Sequence, residues 1–94
     1  MTFPPQNPME FTRPTVVALR PNLFGVYGLF RQGLAVYVGK GDIRQRLLDH
    51  LEGDNSCITS QAPTHFLIEV TSDMDARERQ LILELQPFCN LRVG

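Results

Sequence analysis

The sequence is short of the features that would mark a membrane, secreted or polyanion-coating protein. Its longest apolar runs are only a few residues, so no segment can cross a bilayer as a helix. No positively charged start leads into an apolar core, so no secretory signal is read at the N-terminus. Cysteine is scarce: Cys57 and Cys89 show neither metal-ligand spacing nor a dense framework pattern, and they read as free thiols in a reducing compartment, the cytoplasm. An excess of one charge is also lacking. Nine Lys and Arg against ten Asp and Glu leave a net charge of −1, which argues against a strong, sequence-blind grip on nucleic acid. No internal repeat or low-complexity tract appears. What remains, 94 residues at 43% hydrophobic and 20% charged, describes one soluble globular domain.

The charges that are present are unevenly placed. Between Arg31 and Arg46 four basic residues (Arg31, Lys40, Arg44, Arg46) face one acid, Asp42, while the acids gather later, around Asp49–Asp54 and Glu69–Glu84. A basic edge on a neutral body suits an auxiliary binder of a polyanion, or simply a solvated face. Residues 1–22 hold five of the seven prolines, which predicts an extended N-terminal arm ahead of a domain over 23–94. Within that arm the β-branched stretch Thr15–Leu19 allows a short edge strand.

Phe24–Phe30 and Leu34–Gly39 are β-rich and are joined by Arg31-Gln32-Gly33, a three-residue hairpin loop ending in glycine. Gly39 and Gly41 punctuate a turn, and Asp42 can cap a helix starting at Ile43. A turn-rich loop precedes a third strand over His65–Val70. Ser72 with Asp75 resembles a capping box for a second long helix, which Pro87 ends. The expected architecture is α+β: a small antiparallel three-stranded sheet flanked by helices, in β-β-α-β-α order.

Both helices interrupt their apolar stripes with reactive side chains. Ile43, Arg46, Leu47, His50 and Leu51 share one helical face, and Glu78, Leu81, Ile82 and Leu85 share another. Arg46, His50 and Glu78 would therefore point into the domain, where charge is costly unless paired or used. With Tyr27 and Tyr37 on the hairpin, they gather a cation, an imidazole, a carboxylate and two phenols around one sheet. That set suits phosphodiester chemistry. The plainer reading of each is also open. Arg46–Glu78 could be a structural ion pair, the tyrosines ordinary strand aromatics, and His50 a satisfied core histidine.

Gly25-Val26-Tyr27, Tyr37-Val38-Gly39, Ile43-Arg44-Gln45-Arg46-Leu47, His50, and Glu78 leading to Pro87 and Asn90 occur in an order and at a spacing that resembles the GIY-YIG nuclease family. The resemblance covers residues 24–90. It implies a metal-dependent endonuclease that hydrolyses DNA with one divalent ion, Mg²⁺ or Mn²⁺, held by Glu78. By the same resemblance Tyr27 would be general base or orient the attacking water, and Tyr37 would position the phosphate. Arg46 would bind the scissile phosphate, and His50 would accept the tyrosine proton or touch substrate. Gly39, Lys40 and Arg44 would contribute phosphate contacts, and Asn90 would tie the chain end to the fold. The partners implied are DNA and a second copy of the chain or a larger nuclease or repair assembly. The alternative is a catalytically silent nucleic-acid- or protein-binding module of the same fold.

Overall fold

Alternating apolar and aromatic residues make Phe24–Arg31 and Leu34–Asp42 suited to a sheet covered on both faces, and the remaining elements assemble around that pair. A computed structural model describes residues 3–91; residues 1–2 of the expected arm and 92–94 of the expected domain lie outside it. The elements run β1 (Met9–Glu10), α1 (Arg13–Val17), β2 (Phe24–Arg31), β3 (Leu34–Asp42), α2 (Ile43–Leu51), α3 (Ser56–Gln61), β4 (His65–Val70), α4 (Met74–Leu85) and α5 (Phe88–Leu91). The sheet is antiparallel in the order β1-β4-β2-β3, so the expected three strands gain a short fourth at the β4 edge.

Strand β2 lies centrally, and its residues Gly25–Leu29 are all buried. On one face Tyr27 and Leu29 join Val36 and Phe66 beneath Val16 of α1, Ile43 and Leu47 of α2, and Ile58 of α3. On the other face Val26 and Val38 meet Leu81 of α4 and Phe3. Each fully buried Leu, Ile or Phe contributes about 1.5–3 kcal/mol of transfer free energy, which explains why the helices clamp the sheet from both sides. Arg77 adds a directional clamp: two hydrogen bonds of 2.8 and 2.6 Å to Glu69 tie α4 to β4.

Several local expectations change. The hairpin loop has two residues: Gln32 and Gly33 both take positive φ, 51° and 78°, the twist that closes a two-residue turn. Gly39 and Gly41 do not make a turn; β3 continues through both to Asp42 and runs directly into α2. Thr15–Leu19 is not a strand. Pro14 sits in the first turn of α1, where its fixed φ favours helix, and Val16 is fully buried against the core. The added strand is Met9–Glu10 instead, paired to His65 and Phe66. Gln6 extends that edge, its amide donating to Ile68 O at 2.8 Å and its carbonyl accepting from Ile68 N at 3.0 Å. At α4 the N-cap is Asp73 without a side-chain cap bond, so the Ser72 capping box does not form; Thr71 Oγ1 accepts from Asp73 N instead.

The free-thiol reading is overturned. Cys57 of α3 and Cys89 of α5 form a disulfide with Cα atoms 5.8 Å apart. They lie 32 residues apart, and only the packing of both helices beside β3 brings them together. The thiol argument for a reducing compartment falls with it. No described helix is long and apolar enough to cross a membrane.

Candidate active site

The site forms where β2, β3 and α2 converge. Tyr27 pairs with Gly39 across the hairpin, and the Tyr27 ring lies directly over that glycine: an added Cβ would land on Tyr27 Oη and stand 2.9 Å from Tyr37 Cε2. The glycine of Tyr37-Val38-Gly39 is thus a floor for the neighbouring tyrosine. Asp42 starts α2 by accepting from Gln45 N at 3.3 Å. From that start the helical repeat sends Ile43 and Leu47 into the core and His50 in beside them, leaving His50 4% exposed.

Tyr27 Oη and His50 Nε2 are 2.7 Å apart, and His50 Nδ1 is 2.7 Å from Asp54 Oδ1. Tyr37 completes a three-ring cluster, its centroid 6.3 Å from Tyr27 and 5.3 Å from His50. Arg46 lies at the rim: Nη1 donates to Asp49 Oδ2 at 2.9 Å, and Nη2 stands 3.6 Å from Asp54 Oδ2. Among the described residues Arg46 does not pair with Glu78, so the structural Arg46–Glu78 ion pair is absent. Glu78 Oε1 is 3.3 Å from Lys40 Nζ, and Lys40 also donates to Asp75 at 2.6 Å. Lys40 and Val38 occupy alternate positions of β3 on the α4 face, whereas Tyr37 packs on the α2 face. Because β3 is the sheet edge, the two halves of the site meet around it.

Burial sets the protonation states. It pushes Tyr27 far above an ordinary tyrosine, with neighbouring Tyr37 adding to the rise and Arg46 opposing it. It raises Tyr37 too, helped by Glu78. It lowers His50, although Asp54 pulls the other way. At neutral pH the cluster therefore holds two phenols and a neutral imidazole. Lys40 is held charged, first by its hydrogen bond to Asp75 and then by Glu78.

Tyr27, Tyr37, Arg46 and His50 thus come together around one hydrogen-bonded cluster. Gly39 is buried beneath it, and Glu78 and Lys40 stand on the α4 side of the same edge strand. Arg44 is half-buried elsewhere on α2, and its Nε is buried without a hydrogen-bond partner. Asn90 ties α5 to β3, its Oδ1 accepting from Val38 N at 2.7 Å and its Nδ2 donating to Val38 O at 2.9 Å. Sequence reasoning missed Asp54. It read as one of an acidic stretch, and the available signal was its place four residues after His50, just past the helix end. Asp75, which holds Lys40, reads in the sequence only as a helix-start acid.

Whether these residues suit a divalent ion is decided by the donors. Among the described residues no three of His, Cys, Asp and Glu gather at metal-holding distance, so a self-contained cage is excluded there. One half-buried carboxylate, Glu78, countered by an exposed lysine that Asp75 can retain, fits a hard ion completed by water and phosphate oxygens.

A four-stranded antiparallel sheet with helices on both faces, carrying Gly-Val-Tyr and Tyr-Val-Gly on its paired strands, is the GIY-YIG fold. Among solved structures the chain is similar to the GIY-YIG N-terminal endonuclease domain of UvrC from Thermotoga maritima, seen as a tyrosine-to-phenylalanine point mutant bound to its catalytic divalent cation. The TM-score is 0.73 at 23% identity, covering 85% of this chain and 94% of that one. At that identity the likeness establishes the fold. No family model matches the sequence, and no curated protein matches it.

Proposed function

We propose that the protein is a metal-dependent endonuclease that hydrolyses DNA phosphodiester bonds, working as a homodimer or within a larger nuclease or repair assembly. The observation that carries this reading is the buried 2.7 Å contact between Tyr27 Oη and His50 Nε2, beside Arg46, in a fold shared with an endonuclease domain. A phenol hydrogen-bonded to a neutral imidazole is a proton path.

Tyrosine and histidine ordinarily titrate near ~10 and ~6.5, so a resting phenolate–imidazolium pair costs about 5 kcal/mol. Burial widens that gap from both sides. Tyr27 therefore does not wait as a phenolate. Its proton passes to His50 only as the attacking water yields its own proton to Tyr27 Oη. Arg46, whose guanidinium can engage two phosphate oxygens, would leave Asp49 and Asp54 to do so. Tyr37, Lys40 and Arg44 would orient the phosphate and the adjoining backbone. Glu78 would hold a divalent ion, Mg²⁺ or Mn²⁺, which when bound relieves charge on the non-bridging oxygens.

One observation favours the rival reading of a silent binding module: Tyr27 has no exposed surface in the resting fold. Nicking of supercoiled plasmid with Mg²⁺ or Mn²⁺ separates the two, comparing the native chain with Glu78→Ala and Tyr27→Phe. Metal-dependent nicking abolished by both substitutions supports hydrolysis. A folded native chain that behaves like both variants leaves the silent module.

A further inference from the structure

We propose that Asp54 is a positioning residue of this site: its carboxylate fixes the ring proton of His50 on Nδ1 and so leaves Nε2 free to take the proton of Tyr27. The inference rests on the hydrolytic reading above and supplies what that reading leaves open, the group that decides which ring nitrogen of His50 is bare.

The argument is one of donors and acceptors. An ionised carboxylate only accepts, so the 2.7 Å contact between Asp54 Oδ1 and His50 Nδ1 requires a proton on Nδ1. A neutral imidazole carries a single ring proton, so Nε2 is then bare, and the 2.7 Å contact with Tyr27 is an O–H donated by the tyrosine. The His50 side chain is 1% exposed, so water does not compete for either nitrogen. The other tautomer would set the Nδ1 lone pair against the carboxylate and turn Nε2–H towards the phenol. His50 would then donate to Tyr27 and could not accept from it.

Asp54 is itself held in place. It follows Gly53, whose φ of 87° reverses the chain at the end of α2, and its backbone N–H donates to Asp49 O at 3.3 Å. Its second carboxylate oxygen faces Arg46 Nη2 at 3.6 Å. One carboxylate thus spans the proton acceptor and the phosphate-binding cation, and the departure of Arg46 to a phosphate leaves Asp54 facing His50 alone. The step then balances as follows. The water O–H breaks and its proton joins Tyr27 Oη, while the Tyr27 O–H breaks and its proton joins His50 Nε2. The hydroxide attacks phosphorus, and the departing oxygen takes a proton from solvent. His50, an imidazolium facing the Asp54 carboxylate, later returns its proton to Tyr27 Oη, which passes its own to solvent as product leaves.

Nitrogen-15 NMR of the histidine rings at pH 8 reads the tautomer without any need for activity, and plasmid nicking with Mn²⁺ reads the consequence. The native chain is expected to show a protonated Nδ1 and a bare Nε2 at His50. Asp54→Asn, which can donate to Nδ1, is expected to move the proton towards Nε2 and to cut nicking by at least about tenfold at unchanged Mn²⁺ affinity. Asp54→Glu, which keeps a carboxylate, is expected to restore the native tautomer and part of the rate. A native His50 protonated on Nε2, or an Asp54→Asn chain that keeps the native tautomer and rate, overturns the assignment of Asp54. If the tautomer follows Asp54 as stated but the native chain cuts nothing, the hydrolytic reading has failed instead, and with it any positioning role.

Discussion

Gly39→Ala adds one methyl group at the point where β3 runs beneath the Tyr27 ring. The backbone there is ordinary strand, so the cost is steric and not conformational. The new Cβ would collide with Tyr27 Oη and Cζ and lie 2.9 Å from Tyr37 Cε2. Tyr27 must swing away, which breaks its 2.7 Å contact with His50 and leaves a buried nitrogen unpaired. Overpacking of this kind costs about 1–3 kcal/mol, and the orphaned polar group about 1–3 kcal/mol more. A loss of about 2–6 kcal/mol is expected, a large part of the total stability of a domain this size. The assay is urea unfolding followed by far-UV circular dichroism, with Gly33→Ala as the comparison. Gly33 has φ 78° and nothing within 4 Å of an added Cβ, so its substitution costs only the left-handed backbone, about 1–2 kcal/mol. If Gly39→Ala unfolds within about 0.5 kcal/mol of the native chain, the Tyr27 ring does not rest on Gly39 and the site geometry is refuted.

Three further outcomes are expected. As pH falls, unfolded His50 takes up a proton near ~6.5 while the buried ring resists, so stability declines below that pH. As pH rises, unfolded tyrosine ionises near ~10 while buried Tyr27 does not, so stability declines again. Urea midpoints should form a plateau between these limits, and His50→Gln should flatten the acid side; an unchanged acid limb would count against a buried neutral His50. Reducing Cys57–Cys89 opens a loop with a sequence separation of 32, a loss of about 3–4 kcal/mol by chain entropy. Equal urea midpoints with and without a phosphine reductant would contradict that bond. Lys40→Ala removes the ammonium 3.3 Å from Glu78 and should tighten Mn²⁺ binding measured by electron paramagnetic resonance, whereas Glu78→Gln should weaken it. Unaltered binding in both variants would remove Glu78 as the ion's ligand.

Much of the site was legible because its signals are local. The Tyr27 and Tyr37 strands, the Asp42 cap and the phase of Arg46 and His50 all follow from periods of two and 3.6 residues. The structure bears out the cap, the burial of His50 and the tie made by Asn90. The errors lie where local propensity competes with packing. Thr15–Leu19 looks β-branched, but Pro14 starts a helix and the core receives Val16. Gly39 and Gly41 look like a turn, but a neighbouring tyrosine requires the first, and β3 carries on through both.

The sequence by itself determined the α+β class, the hairpin, the two long helices and which side chains make up the candidate site. Those depend on residues within a few positions of one another. The tertiary structure alone decided which of them touch. It turned Arg46 towards Asp49 and Asp54 and set Lys40 against Glu78. It joined Cys57 to Cys89, and it placed Asp54 behind His50. Each of these pairings depends on where a helix end or sheet edge comes to rest once both faces of β2 are covered. That position is set by the packing of the whole chain, and no short window of sequence contains it.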